Sequence, residues 1–150
     1  MTDLAFFLVA GLVGTFGQYL LPSGGPIFFQ AMGLGDRFAS MHHPNGSLKI
    51  AQWLWWGYSN NEMQSAGGIS AFPSMHVAIC AWMAVSFRNR FVIPYAAFIF
   101  HGSIMLGWHY AVDGIAGAIG AVLCYSLAKV IVAKDWSWKP FARRASGVPA

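Results

Sequence analysis

Two short polar clusters stand out in this 150-residue chain because the segments around them are strongly apolar. The first is Phe72-Pro73-Ser74-Met75-His76, and the second is His109-Tyr110-Ala111-Val112-Asp113. Proline followed by serine is typical of a helix start, where unpaired backbone N–H groups and the positive end of the helix dipole favour an anion. We expect Ser74 to be the N-cap of this helix and His76 to lie in its first turn.

The second cluster has the spacing of an interacting pair, because a carboxylate four residues from a histidine can lie on the same helical face. Asp113 would then hold the proton on one ring nitrogen of His109 and leave the other nitrogen able to attack. The chemistry that fits is phosphoryl transfer through a covalent histidine. His109 attacks phosphorus, and His76 protonates the departing oxygen and then activates the acceptor. Ser74 and nearby amides would hold the phosphate oxygens.

A zinc site is the alternative use of the same side chains. His76, His109 and Asp113 are all ligand types that zinc accepts. The Pro-Ser helix start favours an anion over a cation, however, so we expect neither a metal nor another cofactor.

The composition indicates that membrane helices position these clusters. Hydrophobic residues make up 57% and charged residues 9% of the chain, whereas roughly a quarter of a typical globular chain is charged. Nine Lys and Arg residues spread among apolar runs do not form a basic face, which argues against nucleic-acid binding. The same hydrophobicity excludes intrinsic disorder. Ionisable groups are costly at membrane depth, so those in the two clusters indicate a functional site.

Four apolar stretches are candidate transmembrane helices. They run from Leu4 to Leu21, from Phe72 to Phe87, from Phe91 to about Trp108 and from Val112 to Ala133. The second stretch is short and begins with polar residues, so we expect it to start inside a cavity rather than in lipid. The pattern predicts an all-α, polytopic membrane helix bundle of about four transmembrane helices, folded as a single domain over residues 1–141.

A long connection, Pro22 to Ala71, separates the first two stretches. Within it, the tryptophan-rich segment Leu48 to Tyr58 predicts a helix in the membrane interface, with Ile50, Trp53, Leu54 and Gly57 on one face. Basic residues are concentrated near the C-terminus and in the turn between the second and third stretches, on the side where both termini would lie. The positive-inside rule therefore predicts cytoplasmic termini, a basic cytoplasmic tail over residues 142–150, and both polar clusters on the extracytoplasmic face.

The two clusters together resemble the second and third signatures of the type 2 phosphatidic acid phosphatase superfamily. Within this superfamily, the clusters are most similar to the inositolphosphotransferase-like branch, which includes inositol phosphorylceramide synthases. The sequences that carry this similarity are Ala71-Phe72-Pro73-Ser74-Met75-His76-Val77-Ala78 and Trp108-His109-Tyr110-Ala111-Val112-Asp113-Gly114. The resemblance covers about Tyr19 to Lys134. It implies a helical membrane bundle in which His109 is the nucleophile, Asp113 its partner and His76 the acid/base.

The chain departs from the superfamily pattern in its cations and in its length. The first signature normally carries a Lys and an Arg-Pro pair, but this chain has only Gly25-Pro26, and Ser103 stands where an Arg usually precedes the nucleophile. We expect another cation to meet the phosphate, with Arg37 as the first candidate and Lys49 as the second. Superfamily members commonly have six membrane helices, two more than the four predicted here.

The sequence thus predicts a membrane-embedded lipid phosphate phosphatase or phosphotransferase that acts through a phosphohistidine. Its expected partners are a phosphorylated lipid substrate and membrane lipids, and its expected location is a bacterial inner (plasma) membrane. Two alternatives stay open: a catalytically inactive membrane protein that kept the frame of the site, and a protein that binds or transports an anionic lipid.

Overall fold

A computed structural model of the chain describes residues 1–41, 46–62, 69–87 and 89–134. Within these ranges the chain forms five long helices, and none of these residues lies in a β-strand. The middle of the first helix, Val9–Gly17, is π-helical rather than α-helical. The helices are α1 (Thr2–Leu20), α2 (Gly46–Ser59), α3 (Met75–Phe87), α4 (Val92–Met105) and α5 (Ala111–Ala133). The predicted cytoplasmic tail, residues 142–150, lies outside the described residues.

The core of the bundle forms where α1, α3 and α5 meet, and its side chains are small. Val9 and Val13 from α1 pack with Ala78 from α3 and with Ala121 and Cys124 from α5. Small residues allow helix backbones to approach closely, which is how helices associate in membranes. One close approach lies where α5 passes the start of α3, because a Cβ atom at Gly117 would overlap the carbonyl oxygen of Ser74.

Large apolar side chains are distributed in the opposite way. Phe7, Phe98 and Leu123 are 70%, 72% and 63% exposed, and many others on α1, α4 and α5 are exposed as well. A soluble monomer rarely exposes so much contiguous apolar surface. The arrangement of small residues inside and large apolar residues outside is compatible with a membrane protein whose outer surface contacts lipid.

Two helices, α1 and α5, are long and apolar enough to cross a membrane. The apolar helices α3 and α4 have 13 and 14 residues. At 1.5 Å per residue each is about 20 Å long, shorter than the roughly 30 Å hydrocarbon core. The expectation of four spans is therefore supported for two helices and stays a prediction for α3 and α4.

The connection between α1 and α3 folds over the end of the bundle that carries the polar clusters. A 3₁₀ turn, Pro26–Phe28, packs against α2 through Ile27, Phe28 and Ala51. The face of α2 that turns inward carries Ala51, Leu54 and Trp55, whereas Ile50, Trp53 and Trp56 are exposed. The predicted helix is thus present, but the face proposed from sequence mixed inward and outward residues, and its location in a membrane interface stays a prediction.

Candidate active site

His76 and His109 lie side by side, although 32 residues separate them in the chain. His76 is in the first turn of α3, and His109 is in the short connection between α4 and α5. Nδ1 of His76 is 3.2 Å from Nε2 of His109, and the two ring centroids are 5.5 Å apart. His109 is only 5% exposed, whereas His76 is exposed. The two imidazoles therefore share one site, with the buried ring behind the accessible one.

The other ring nitrogen of His109 has a backbone partner. Nδ1 is 2.8 Å from the carbonyl oxygen of Ala71, which can only accept a hydrogen bond. Nδ1 of the neutral ring must therefore carry the proton, and Nε2 keeps its lone pair and accepts a hydrogen bond from Nδ1–H of His76. In this tautomer the nitrogen of His109 that faces His76 is the nucleophilic one.

Asp113 differs from its predicted role in one respect. Its carboxylate oxygen Oδ2 is 4.0 Å from Nδ1 of His109, which is too long for a hydrogen bond, and accepts the backbone N–H of Tyr110 at 2.7 Å. Asp113 occupies the third position of α5, where this bond to the N-cap residue completes a capping box. The Ala71 carbonyl, not Asp113, holds the His109 proton, and Asp113 acts on the ring through its charge.

The surroundings of His109 favour its neutral form. Burial lowers the pKa of His109, and the nearby His76 lowers it further, whereas the Ala71 carbonyl and the Asp113 carboxylate raise it. The net shift is downward from the ordinary value of 6.5. The ring is therefore unprotonated at neutral pH, which is the state that a nucleophilic nitrogen requires.

Ser74 is the residue immediately before α3, as predicted for an N-cap, and it is completely buried. Its hydroxyl oxygen accepts the N–H of Val77 at 3.5 Å, and its own N–H donates to the carbonyl oxygen of Asp113 at 2.9 Å. The second bond ties the starts of α3 and α5 together. Because the hydroxyl is turned into the helix, the first-turn backbone N–H groups are better placed than Ser74 Oγ to meet a phosphate.

The two predicted cations lie in different places. Arg37 is exposed beside Phe38, whose ring packs edge-on against Tyr110 at 5.8 Å between centroids. Burial and the Asp113 carboxylate raise the pKa of Tyr110, the residue that follows His109, and the charge of Arg37 lowers it. Lys49 is an exposed residue of α2. This helix contacts the residue before His109, because Trp108 Nε1–H donates to Ser47 Oγ at 2.7 Å.

A mainly apolar pocket opens directly beside the histidine pair. It has a volume of about 340 Å³. Its wall includes both histidines, Trp108, the α4 residues Phe98 and Gly102, and Leu106, which follows α4. The volume is at the small end of the range for ligand sites, about 300–1,000 Å³. The pocket can therefore accept an apolar group attached to a phosphate that reaches His109.

The profile of the PAP2 superfamily matches residues 3–127. The chain belongs to the PAP2 superfamily. This match confirms the superfamily that the two clusters predict, and the matched range includes both clusters as well as Arg37 and Lys49. No curated protein and no solved structure matches the chain. PAP2 superfamily membership indicates phosphatase or phosphotransferase activity, and together with the apolar helices it is compatible with a membrane location.

Two contributors to this PAP2 site were missed by the sequence reasoning. The Ala71 carbonyl is a backbone group, and a side-chain motif carries no signal for it. Ser23, in the loop after α1, accepts a hydrogen bond from the N–H of Phe72 through its hydroxyl oxygen. The sequence feature that could have indicated this role is the position of Ser23 in the Pro22-Ser-Gly-Gly-Pro26 turn. Among the described residues, no group of three or more His, Cys, Asp or Glu side chains is arranged to hold a metal ion.

Proposed function

We propose that this protein is a lipid phosphate phosphatase or phosphotransferase that works through a phosphohistidine at His109. The observation that supports this most directly is the 3.2 Å contact between His76 Nδ1 and His109 Nε2. It pairs a lone-pair nitrogen with a proton donor in one accessible site. These are the nucleophile and the general acid that covalent phosphoryl transfer needs.

In the first step, the phosphate group inserts between the two rings and replaces their mutual hydrogen bond. The Nε2 lone pair of His109 forms the N–P bond, and the P–O bond to the lipid alcohol breaks. His76 gives its proton to the departing oxygen, so the alcohol leaves neutral. The cationic phosphoimidazole is stabilised by the Asp113 carboxylate, 4.0 Å from Nδ1, and by the Ala71 carbonyl.

In the second step, His76 removes a proton from water or from an acceptor alcohol, and that oxygen attacks phosphorus. The N–P bond breaks and its electron pair returns to Nε2 of His109. Water yields inorganic phosphate, and an alcohol yields a new phosphate ester. We favour water, because a hydrolase needs no second binding pocket for the acceptor.

Backbone N–H groups at the start of α3 and the Arg37 guanidinium are the groups that would hold the phosphate oxygens. Lys49 is the second candidate cation, and Ser74 supports the site by capping α3. The apolar pocket beside the histidines would take the first part of the lipid chain. The full setting of the proposal is a bundle of four membrane spans with the site on the extracytoplasmic face of a bacterial inner membrane. The inositolphosphotransferase-like branch is part of the same proposal.

The test is phosphate release from a panel of lipid phosphates and phosphodiesters in detergent, with His109→Ala as the critical variant. His101→Ala is the matched control, because His101 is an exposed histidine on α4, two turns before His109. We expect His109→Ala to abolish turnover and His101→Ala to retain it. Incubation with a ³²P-labelled substrate should also label the wild type, but not His109→Ala, through an acid-labile bond.

Retained turnover in His109→Ala would remove the nucleophile assignment. If the wild type binds an anionic lipid saturably but releases no phosphate, the binding or transport alternative is correct. If it does neither, the chain has kept the frame of a PAP2 site without its activity.

A further inference from the structure

The segment just before α3 is fastened to the turn that follows α1. The N–H of Ala71 donates to the carbonyl oxygen of Ser23 at 2.7 Å, and the N–H of Phe72 donates to the Ser23 hydroxyl at 2.9 Å. One residue thus holds two successive amides of the segment. Ala71 is 3% exposed, so these bonds lie in a site where water competes weakly.

The same segment supplies the partner of the candidate nucleophile. The carbonyl oxygen of Ala71 belongs to the peptide unit whose N–H, that of Phe72, is bonded to Ser23 Oγ. A peptide unit is planar, so fixing its N–H also fixes the direction of its C=O. The Ser23 hydroxyl therefore acts, through one rigid peptide plane, on the 2.8 Å bond to Nδ1 of His109.

We propose that Ser23 is a positioning residue for His109, which it orients and keeps in the Nδ1–H tautomer through the Ala71–Phe72 peptide. The inference rests on the proposed function for its effect on catalysis, but its effect on the tautomer of His109 can be measured whether or not the protein is an enzyme. It also assigns to a backbone carbonyl and a loop serine the orienting task that Asp113 was expected to perform.

The chain offers a matched pair of variants. Ser23→Ala removes the hydroxyl that holds the Phe72 N–H, whereas Ser23→Thr keeps a hydroxyl at the same position. Ser70→Ala is the control, because the Ser70 hydroxyl donates to the carbonyl oxygen of Phe72 at 3.3 Å and so belongs to the same segment without holding the peptide that faces His109. A general loosening of the segment would affect both alanine variants, and a positioning role would affect only the first.

The first measurement is ¹⁵N NMR of the full chain in detergent, with the His109 signals assigned by their loss in His109→Ala. We expect the wild type, Ser70→Ala and Ser23→Thr to show His109 in the Nδ1–H form. In Ser23→Ala we expect a second population with the proton on Nε2. A single unchanged tautomer in Ser23→Ala, or the same mixture in Ser70→Ala, would overturn the inference.

The second measurement is phosphate release as a function of pH. We expect kcat of Ser23→Ala to fall about 10- to 100-fold with KM unchanged, because small misplacement of a reacting group costs about 100-fold. The Ala71 carbonyl and the Asp113 carboxylate favour the protonated ring, whereas burial and His76 on α3 disfavour it. Weakening that bond should therefore move the acid limb of kcat/KM to lower pH, whereas a loss of folded protein would reduce the rate at every pH equally.

The outcomes separate the two proposals. A wild type that releases no phosphate removes the proposed function, and the NMR result still decides the role of Ser23. An active wild type in which Ser23→Ala retains kcat and the position of the acid limb removes the role of Ser23 and leaves the proposed function standing.

Discussion

Replacing Asp113 with Asn tests whether this carboxylate acts by charge or by holding a proton. The asparagine side chain keeps an oxygen that can accept the N–H of Tyr110, so the start of α5 should be preserved. Only the negative charge, 4.0 Å from Nδ1 of His109, is removed. Two unit charges at about 4 Å interact by about 4 kcal/mol at an effective dielectric constant of about 20, and by about 1 kcal/mol in water.

Asp113 is 3% exposed, so the larger value is the better guide. Because each 1.36 kcal/mol changes a rate about tenfold, losing stabilisation of the cationic phosphoimidazole should lower kcat by about 10²- to 10³-fold. A carboxylate that sets the tautomer of a catalytic histidine is worth about 10⁴-fold when replaced by the amide. The smaller loss follows here because the Ala71 carbonyl still holds the Nδ1 proton.

The assay is kcat/KM for phosphate release between about pH 4 and about pH 9, which covers about 2.5 units on each side of the ordinary pKa of histidine, about 6.5. His109 must be neutral to attack, so activity rises with pH through its pKa. The Asp113 charge raises that pKa, against the downward effect of burial. Removing the charge should therefore move the acid limb to lower pH. Asp3→Asn is the control, because Asp3 lies in the first turn of α1, at the end of this helix away from Ser23 and the histidines. It should change neither kcat nor the pH of the acid limb.

An acid limb that stays in place, or moves to higher pH, would refute this account of Asp113. A complete loss of turnover equal to that of His109→Ala would refute it as well. That result would mean that the hydrogen bond between the carboxylate and the ring forms during the reaction and is essential.

Four further substitutions and one control variant test other parts of the site. A Cβ atom at Gly102, which lines the apolar pocket, meets no atom within 4 Å, so Gly102→Leu would extend its side chain into this pocket. It should raise KM for long-chain lipid phosphates about tenfold and spare a short, water-soluble phosphate ester. A Cβ at Gly11 is similarly open but lies outside the pocket lining, so Gly11→Leu should do neither. Gly117→Ala would overlap the backbone at the start of α3, so thermal unfolding in detergent should show about 1–3 kcal/mol of destabilisation. Arg37→Ala should raise KM for phosphate esters about tenfold and Lys49→Ala should have a smaller effect, as measured by initial rates.

The helices were predictable because long apolar runs have few alternatives once the polar residues around them are known. The limits of α1, α3 and α5 lie within three residues of those read from the sequence. The end of α4 differs by three residues as well, because the run of apolar side chains continues to Trp108 while the helix stops at Met105. Gly107 has φ of 75°, a conformation that L side chains rarely adopt, and this turn releases His109 from the helix.

The loop was harder to predict because its packing depends on contacts between residues far apart in sequence. From sequence, Gly25-Pro26 is an incomplete match to the phosphate-binding signature of the superfamily. In the structure this turn packs tightly, because a Cβ at Gly25 would overlap the carbonyl oxygen of Trp108. The N–H of Ile27 also donates to the carbonyl oxygen of Gly107 at 2.8 Å. The Gly-Pro turn therefore packs on the connection that carries His109. Its structural role requires the absence of a side chain, a requirement that no local motif expresses.

The site itself was partly predictable. A helix start is a strong local signal, so two such starts with histidines and a carboxylate could be expected to meet. The sequence could not predict that the Ala71 carbonyl, rather than Asp113, accepts the His109 proton. Asp113 is engaged in a capping box, and this box is hard to recognise from sequence because its N-cap residue, Tyr110, is an unusual one. Ser103 is a similar case: its carbonyl accepts the N–H groups of Trp108 and His109 at 3.1 and 3.3 Å, so it shapes the backbone where the superfamily pattern has a cation.

The electrostatics of the two helix starts decide where a phosphate belongs. Each start carries about half a positive charge, and at α5 the carboxylate of Asp113 more than cancels it, whereas the first turn of α3 contains no acidic residue. The uncompensated positive end is therefore that of α3, beside His76. A phosphate monoester carries about −1.5 to −2 near neutral pH. The α3 start and Arg37 together supply about +1.5, and the proton that His76 must carry as general acid adds one more positive charge. The α5 start with Asp113 subtracts about 0.5, so the site provides about +2. A site without the usual Lys and Arg residues can thus balance its substrate, provided that the acid is protonated when the phosphate binds.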